Sequence, residues 1–262
     1  MRFDVLTIFP ELLTSPLREG IIRIARERDL ARIDCHDIRR FATDKHHMVD
    51  DRPFGGGEGM VLKAEPLAAC LEEVRALDEN PGKVILLSPR GKTLTQQKVS
   101  DLARESRLIL VCGRYEGIDE RFCSHYVDEE ISIGDYILTG GELGAMVIID
   151  SVIRLLPGVL GCEDSAGNDT FSRNLLKHPQ YTRPRVFEGE EVPPVLLSGD
   201  HRAINEHRFV ESVRLTLERR PELLGTVEFT TAEKKILRKT GLEKEIRLAL
   251  ARDHQDVATN LH

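Results

Sequence analysis

The chain has no tryptophan, and aromatic residues make up only 5% of its 262 positions. No apolar run approaches the roughly 18 residues of a membrane span, and the opening string MRFDVLTIFPELL holds no stretch of signal-peptide length. A cytoplasmic location is therefore expected. The five cysteines, Cys35, Cys70, Cys112, Cys123 and Cys162, are odd in number, scattered and without a CxxC pair. That pattern excludes a disulfide scaffold and a zinc knuckle, and predicts reduced, mostly buried thiols. Phosphate-binding fingerprints are missing too. No GxGxxG turn follows a strand, and Gly91-Lys92-Thr93 resembles the end of a P-loop but has Leu86 where that motif needs glycine. Nor does any His/Cys/Asp/Glu group have the spacing of a metal cage. His46 and His47 are adjacent, so their side chains diverge, and a solvated loop is the expected reading. Internal repeats and low-complexity tracts are also absent.

What remains is ordinary globular composition, 40% hydrophobic and 31% charged, long enough for one large or two modest domains. The net charge of −7 means that any polyanionic partner must meet a local basic surface. Residues 173–247 supply a modest one, with 15 basic against 12 acidic side chains. Apolar, β-branched runs at residues 3–9, 32–38, 84–87 and 108–112 read as strands, and residues 65–77 and 94–104 read as helices between them. Alternating strands and helices predict an α/β domain with a mostly parallel, covered sheet. Residues 143–156 read as a largely buried helix stopped by Pro157-Gly158. Residues 161–177 are small, polar and aperiodic, as a mobile linker would be. Beyond them, helical spacing at 201–218, 232–240 and 242–252, with a capping box beginning at Thr230, predicts a small helical domain. The expected division is 1–160, linker 161–177 and 178–262.

Four glycine-rich strings punctuate the first domain: PFGGGEGM from Pro53, SPRG from Ser88, GRYEG from Gly113 and IGDYILTGG from Ile133. Three sit where an α/β sheet presents its strand ends, and glycine there lets backbone approach a ligand closely. Any one of them reads as a turn; together they point to a nucleoside held by backbone groups, which favours adenosylmethionine over ATP or NAD.

These strings, with LLSPRG, CGRYEGIDER, ISIGDYILTGGELGAM, NDTF, HPQYTRP and PPVLLSGDHRAI, resemble the bacterial tRNA (guanine-N1)-methyltransferases of the knotted SPOUT class, nearly end to end and in the same order. The resemblance implies a parallel-sheet domain with a trefoil knot near its C-terminus, followed by a small helical tRNA-binding domain. It implies a homodimer whose active sites are shared between subunits. It further implies methyl transfer from S-adenosyl-L-methionine to N1 of guanosine 37 of a tRNA, next to the anticodon, where guanosine 36 precedes it.

Carried over residue by residue, the cofactor would be held by Leu87, Ser88, Pro89 and Gly91, by Gly113, Tyr115, Glu116 and Gly117, and by Ser132, Ile133, Gly134, Asp135, Tyr136, Ile137, Leu138, Gly140 and Gly141. RNA would meet Asp50, Gly55, Gly56, Gly57, Gly59, Ser165, Arg183, Arg185, His201 and Arg202. Glu116 is the position that the resemblance associates with a magnesium requirement. Asp169 matches the general base and Arg154 its cationic partner. The chemistry needs both. Guanine N1 carries a proton that must leave before its lone pair can attack, which suits a carboxylate, and the charge that spreads to O6 suits a cationic donor. By composition alone Asp169 would cap a helix starting near Thr170, and Arg154 would be a solvated helix arginine. The chain departs from the pattern at Lys177-His178, where an acidic residue and a cysteine or tyrosine are common, and at His207, where tryptophan is frequent. Two rival readings share these features: a methyltransferase acting on another RNA position, and an RNA-binding module that only senses the cofactor.

Overall fold

The computed structural model describes residues 1–160 and 170–259. The chain divides into two compact units, Met1–Glu163 and Asp164–His262.

The first unit is built on a five-stranded sheet in the order β2-β1-β6-β5-β7. The strands are β1 (Arg2–Thr7), β2 (Arg32–Asp37), β5 (Lys83–Thr93), β6 (Arg107–Cys112) and β7 (Glu129–Ser132), all paired in parallel. A two-residue hairpin, β3 (Asp50–Asp51) with β4 (Val61–Leu62), stands apart from it. The uninterrupted apolar run of β6 is explained by cover on both faces. Leu108, Leu110 and Cys112 enter one core with Phe3, Val5, Ile85 and Leu87, while Ile109 and Val111 enter the other with Leu6, Val84 and Leu86. The first core is closed by helices α2 (Gly20–Glu27), α4 (Gln96–Leu102) and α6 (Glu142–Ile153); the second is closed by α3 (Ala64–Ala76) and α5 (Glu120–Tyr126). A four-residue α1 (Glu11–Thr14) packs near α6. On α3 the expected apolar face is present, with Leu67, Leu71 and Val74 buried.

Several expectations are sharpened. The strand expected at 84–87 runs on to Thr93, because after Leu87 the chain bulges away and returns to pair Lys92 with Ile131 and Thr93 with Ser132. The P-loop-like Gly91-Lys92-Thr93 is thus strand. The strand β7, with Glu129 and Glu130 in it, gives no apolar run to read. The helix expected at 143–156 spans Glu142–Ile153 and, apart from half-buried Met146 and Ser151, is buried except for an exposed stripe at Leu143, Val147, Asp150 and, at its C-cap, Arg154. The spacing of four, three and four places these on one helix face. Cys70, Cys112 and Cys123 are buried free thiols and Cys35 is half-buried, as expected; Cys162 lies outside the described residues.

In the second unit α7 (His201–Arg219), α8 (Thr231–Thr240) and α9 (Leu242–Thr259) pack with a 3-10 turn at Pro221–Thr226 around Val210, Val213, Leu224, Leu237, Leu242 and Ile246. The expected capping box is present: the Glu233 amide donates to the Thr230 hydroxyl and the Thr230 amide donates to the Glu233 carboxylate. A short hairpin, β8 (Val186–Phe187) with β9 (Glu190–Glu191), precedes α7. Among the described residues no helix begins at Thr170, and none is long and apolar enough to cross a membrane.

Candidate active site

Neighbouring strands β6, β5 and β7 end on the same side of the sheet, so the three segments that follow Leu87, Cys112 and Ser132 converge there. Between them is a cavity of about 390 Å³. Close backbone approach is what lets the segments meet. A Cβ on Gly141 would lie 2.8 Å from the Cα of Cys112 and 3.1 Å from the Cβ of Leu87, and one on Gly91 would run into the backbone of Glu130 and Ile131. Hydrogen bonds then tie the segments together: the Gly141 amide donates to the Gly113 carbonyl at 2.9 Å, and Leu94 to Ser132 at 2.7 Å. Tyr115 adopts a left-handed backbone (φ 60°), a strained conformation for a bulky residue held in place by its tethered neighbours.

Charged groups brace the cavity wall. Glu142, 1% exposed, opens α6 and pairs with Arg114 at 3.1 Å; it also accepts a 2.7 Å hydrogen bond from the Thr7 hydroxyl, which in turn accepts from the Phe9 amide. The Arg114 guanidinium lies over the Phe9 ring, 4.5 Å from its centroid. Gly140 sits against both Arg114 and Glu142, so the pair clamps the end of the third segment onto the second. Across the cavity Arg90 reaches Glu120 at 3.0 Å and Glu130 at 3.1 Å, holding the first segment to α5 and β7. Cys112 is not available as a nucleophile, since burial holds its thiol well above the ordinary range, with the nearby Glu142 charge adding to the effect.

Of the cofactor positions named from sequence, Leu87, Ser88, Pro89, Gly113, Tyr115, Glu116, Gly117, Ser132, Ile133, Gly134, Tyr136, Ile137, Leu138, Gly140 and Gly141 all line this one cavity. Gly91 does not, being used for the strand approach, and Asp135 is exposed outside it. Sequence reasoning missed Leu86, Arg90, Arg114, Ile118, Ile131 and Gly144, which also line it. Arg90 and Arg114 lie inside two of the quoted strings, and their charge beside glycine was a usable signal.

The RNA positions separate. Asp50 lies in β3 and Gly55, Gly56, Gly57 and Gly59 in the exposed loop joining it to β4. That loop is tethered to the cavity: the Glu116 amide donates to the Met60 carbonyl, the Leu62 amide to Gly117, and a Cβ on Gly59 would lie 2.6 Å from the Glu116 side chain. Arg183, Arg185, His201 and Arg202 are exposed in the second unit, the last two opening α7. Arg154 is exposed at the C-cap of α6, on the stripe with Leu143 and Val147. Asp169 and Ser165 lie outside the described residues. Among the described residues no group of three or more His, Cys, Asp or Glu could hold a metal ion.

The family model for tRNA (Guanine-1)-methyltransferase TrmD matches residues 1–226. The chain belongs to that family. Curated relatives agree. A tRNA (guanine-N(1)-)-methyltransferase of Dehalococcoides mccartyi strain 195 is 52% identical over 237 residues, covering 90% of this chain and 96% of that protein. One from Chloroflexus aurantiacus is 56% identical over 225 residues, 86% of this chain and 88% of its own length. One from Anoxybacillus flavithermus is 53% identical over 235 residues, 90% and 96% respectively. All the strand-end segments that form the cavity fall within the span matched by the TrmD model.

Proposed function

We propose that this TrmD-family chain transfers a methyl group from S-adenosyl-L-methionine to N1 of guanosine 37 of a tRNA in which guanosine 36 precedes it. The observation that carries the reading is the strand-end cavity, whose wall is glycine backbone, apolar side chains and paired charges, with no phosphate loop. Its size suits a nucleoside-sized ligand. A cradle so tight at Gly141 that a Cβ would meet Cys112 fits a ligand gripped through backbone. Bound there, S-adenosyl-L-methionine supplies an electrophilic sulfonium methyl.

The chain's own residues then do three things. The strand-end segments orient the ligand and exclude water around it. Asp169 takes the N1 proton of guanine, and Arg154 offers positive charge to O6 as that proton leaves. Magnesium enters this reading as a mostly hydrated ion with Glu116 as its protein carboxylate, since magnesium keeps several waters and few protein ligands.

A homodimer with shared sites is part of the proposal. Leu143 and Val147 on α6 are 60% and 44% exposed, and Leu12 on α1 is exposed as well. An exposed stripe that is apolar at Leu143 and Val147 and charged at Asp150 and Arg154, on a mostly buried helix, is what a second copy would cover. The threaded path of the knot, a separate helical tRNA-binding domain from residue 178 and a cytoplasmic setting complete the reading.

The test is labelled methyl transfer to a tRNA transcript with guanosines at 36 and 37, beside a twin with adenosine at 37. Label at N1 of guanosine 37, absent from the twin and largely lost in Asp169→Ala, supports the reading. Label at another guanosine refutes the position, and a wild-type protein that binds both ligands yet labels neither transcript refutes the activity.

A further inference from the structure

Among the described residues Phe54 stands out as a fully exposed large apolar side chain, at 100%. It sits in the loop between β3 and β4, directly before Gly55, Gly56 and Gly57, all at positive φ. A Cβ on Gly55 or Gly56 would meet nothing within 4 Å, so at these two positions the loop's tip has open space beside it among the described residues. Its base, by contrast, is fixed to the cavity wall through Met60, Leu62, Glu116 and Gly117. An aromatic ring is thus held out in solvent at the end of a short arm rooted beside the methyl-transfer cavity.

We propose that Phe54 is a stacking platform for a nucleobase of the tRNA substrate, next to the guanosine that is methylated. The inference rests on the tRNA methyltransferase reading and deepens it by naming the side chain that grips the RNA through a base face. Two features favour a single base over a protein surface or a second copy. Protein interfaces need a contiguous apolar patch, whereas across residues 43–59 the other exposed large apolar side chain is Met48. A lone flat ring instead matches one unstacked base, the usual mode of aromatic recognition of single-stranded RNA. The same exposed stretch carries Lys45 and Arg52, cations suited to the flanking phosphates.

Because the chain has no tryptophan, Phe54→Trp installs a single fluorescent reporter at the proposed contact. Titration with a tRNA transcript bearing guanosines 36 and 37 is expected to quench that fluorescence, while S-adenosyl-L-methionine alone leaves it unchanged. Phe54→Leu, which keeps apolar bulk without a ring face, is expected to weaken tRNA affinity by about 5- to 100-fold. Phe54→Tyr should restore it, and cofactor affinity and Tm should stay as in the wild type. The proposal is overturned if tRNA binds Phe54→Trp without quenching, or if Phe54→Leu binds tRNA normally. Quenching by the cofactor alone, or a signal that follows protein concentration without RNA, also overturns it, by showing that the ring closes on the cofactor or on a second copy. If the wild type methylates guanosine 37 while these variants behave normally, stacking alone fails; if the wild type binds no tRNA, the functional reading fails with it.

Discussion

At the N-terminal ends of β1 and β6, Asp4 is fully buried and receives hydrogen bonds from Arg2 at 2.9 Å, Arg107 at 2.8 Å and His36 at 2.9 Å. Arg107 also donates to the carbonyls of Asn80 and Val74, closing the end of α3 onto the sheet. At the C-terminal ends of the same sheet the segments that follow Leu87, Cys112 and Ser132 carry glycines at which the backbones nearly touch, and large side chains of the cavity wall such as Ile137, 81% exposed, stay open to solvent. One end spends its charges on closure; the other uses its charges, Arg114 with Glu142 and Arg90 with Glu130, to hold an opening in shape. The contrast teaches that stability and ligand binding are separable along the strands, and that substitutions at the two ends should fail in different assays.

The largest expected effect is at the open end. Gly141→Val has no room against Cys112 and Leu87, so adenosylmethionine binding by calorimetry should fall by more than about 100-fold, in line with the steric conflict. At the closed end, Asp4→Asn strands three cationic or donating partners in a buried site, and chemical denaturation should show a loss of about 3–5 kcal/mol. The same variant's folded fraction should bind the cofactor normally. If it does not, the two ends are coupled and the comparison breaks.

Acid titration probes the closed end through the difference between wild type and Asp4→Asn, because Glu129 and Glu233, elsewhere in the chain, are also held below the ordinary carboxylate range. Burial by itself would raise the Asp4 carboxyl, but the hydrogen bonds from His36, Arg2 and Arg107 outweigh it and hold the group at about 2, below its ordinary 3.8. A folded-state value below the unfolded one stabilises the fold fully above about pH 4, and that contribution, about 2 kcal/mol, is lost as pH falls through about 2. Urea midpoints measured from pH 5 to pH 2 should show this slope in the wild type and a shallower one in Asp4→Asn. Smallest of all, Thr7→Val removes the hydroxyl that donates to Glu142. It should cost about 1 kcal/mol, since Glu142 keeps Arg114 while losing one hydrogen bond and the Phe9 amide loses its acceptor, expressed as weaker cofactor binding more than as lower Tm, since it loosens the clamp on Gly140.

Much of this was legible before the structure. The runs of β1 and β6 announce a sheet covered on both faces because every residue in them is buried, and the glycine strings mark the strand ends. What escaped reading was non-local. The edge strand β7 carries Glu129, whose charge is answered by Lys83 at 2.8 Å and Lys98 at 2.6 Å from elsewhere in the chain, so its own four residues look like a loop. Nothing in Gly91 or Gly134 says that the first serves a strand approach while the second lines the cavity. Arg114 and Glu142 read as surface charges until folding brings them together across 28 residues. Phe54 lay in the densest glycine string, where the glycines drew attention from the ring.

The most direct test of the account is a crystal structure of the chain with S-adenosyl-L-methionine. The ligand is expected in the strand-end cavity, bounded by the segments that follow Leu87, Cys112 and Ser132, with the Arg114–Glu142 pair intact beside it. A ligand bound elsewhere, or the cavity filled by the chain's own side chains while the ligand binds, would contradict it.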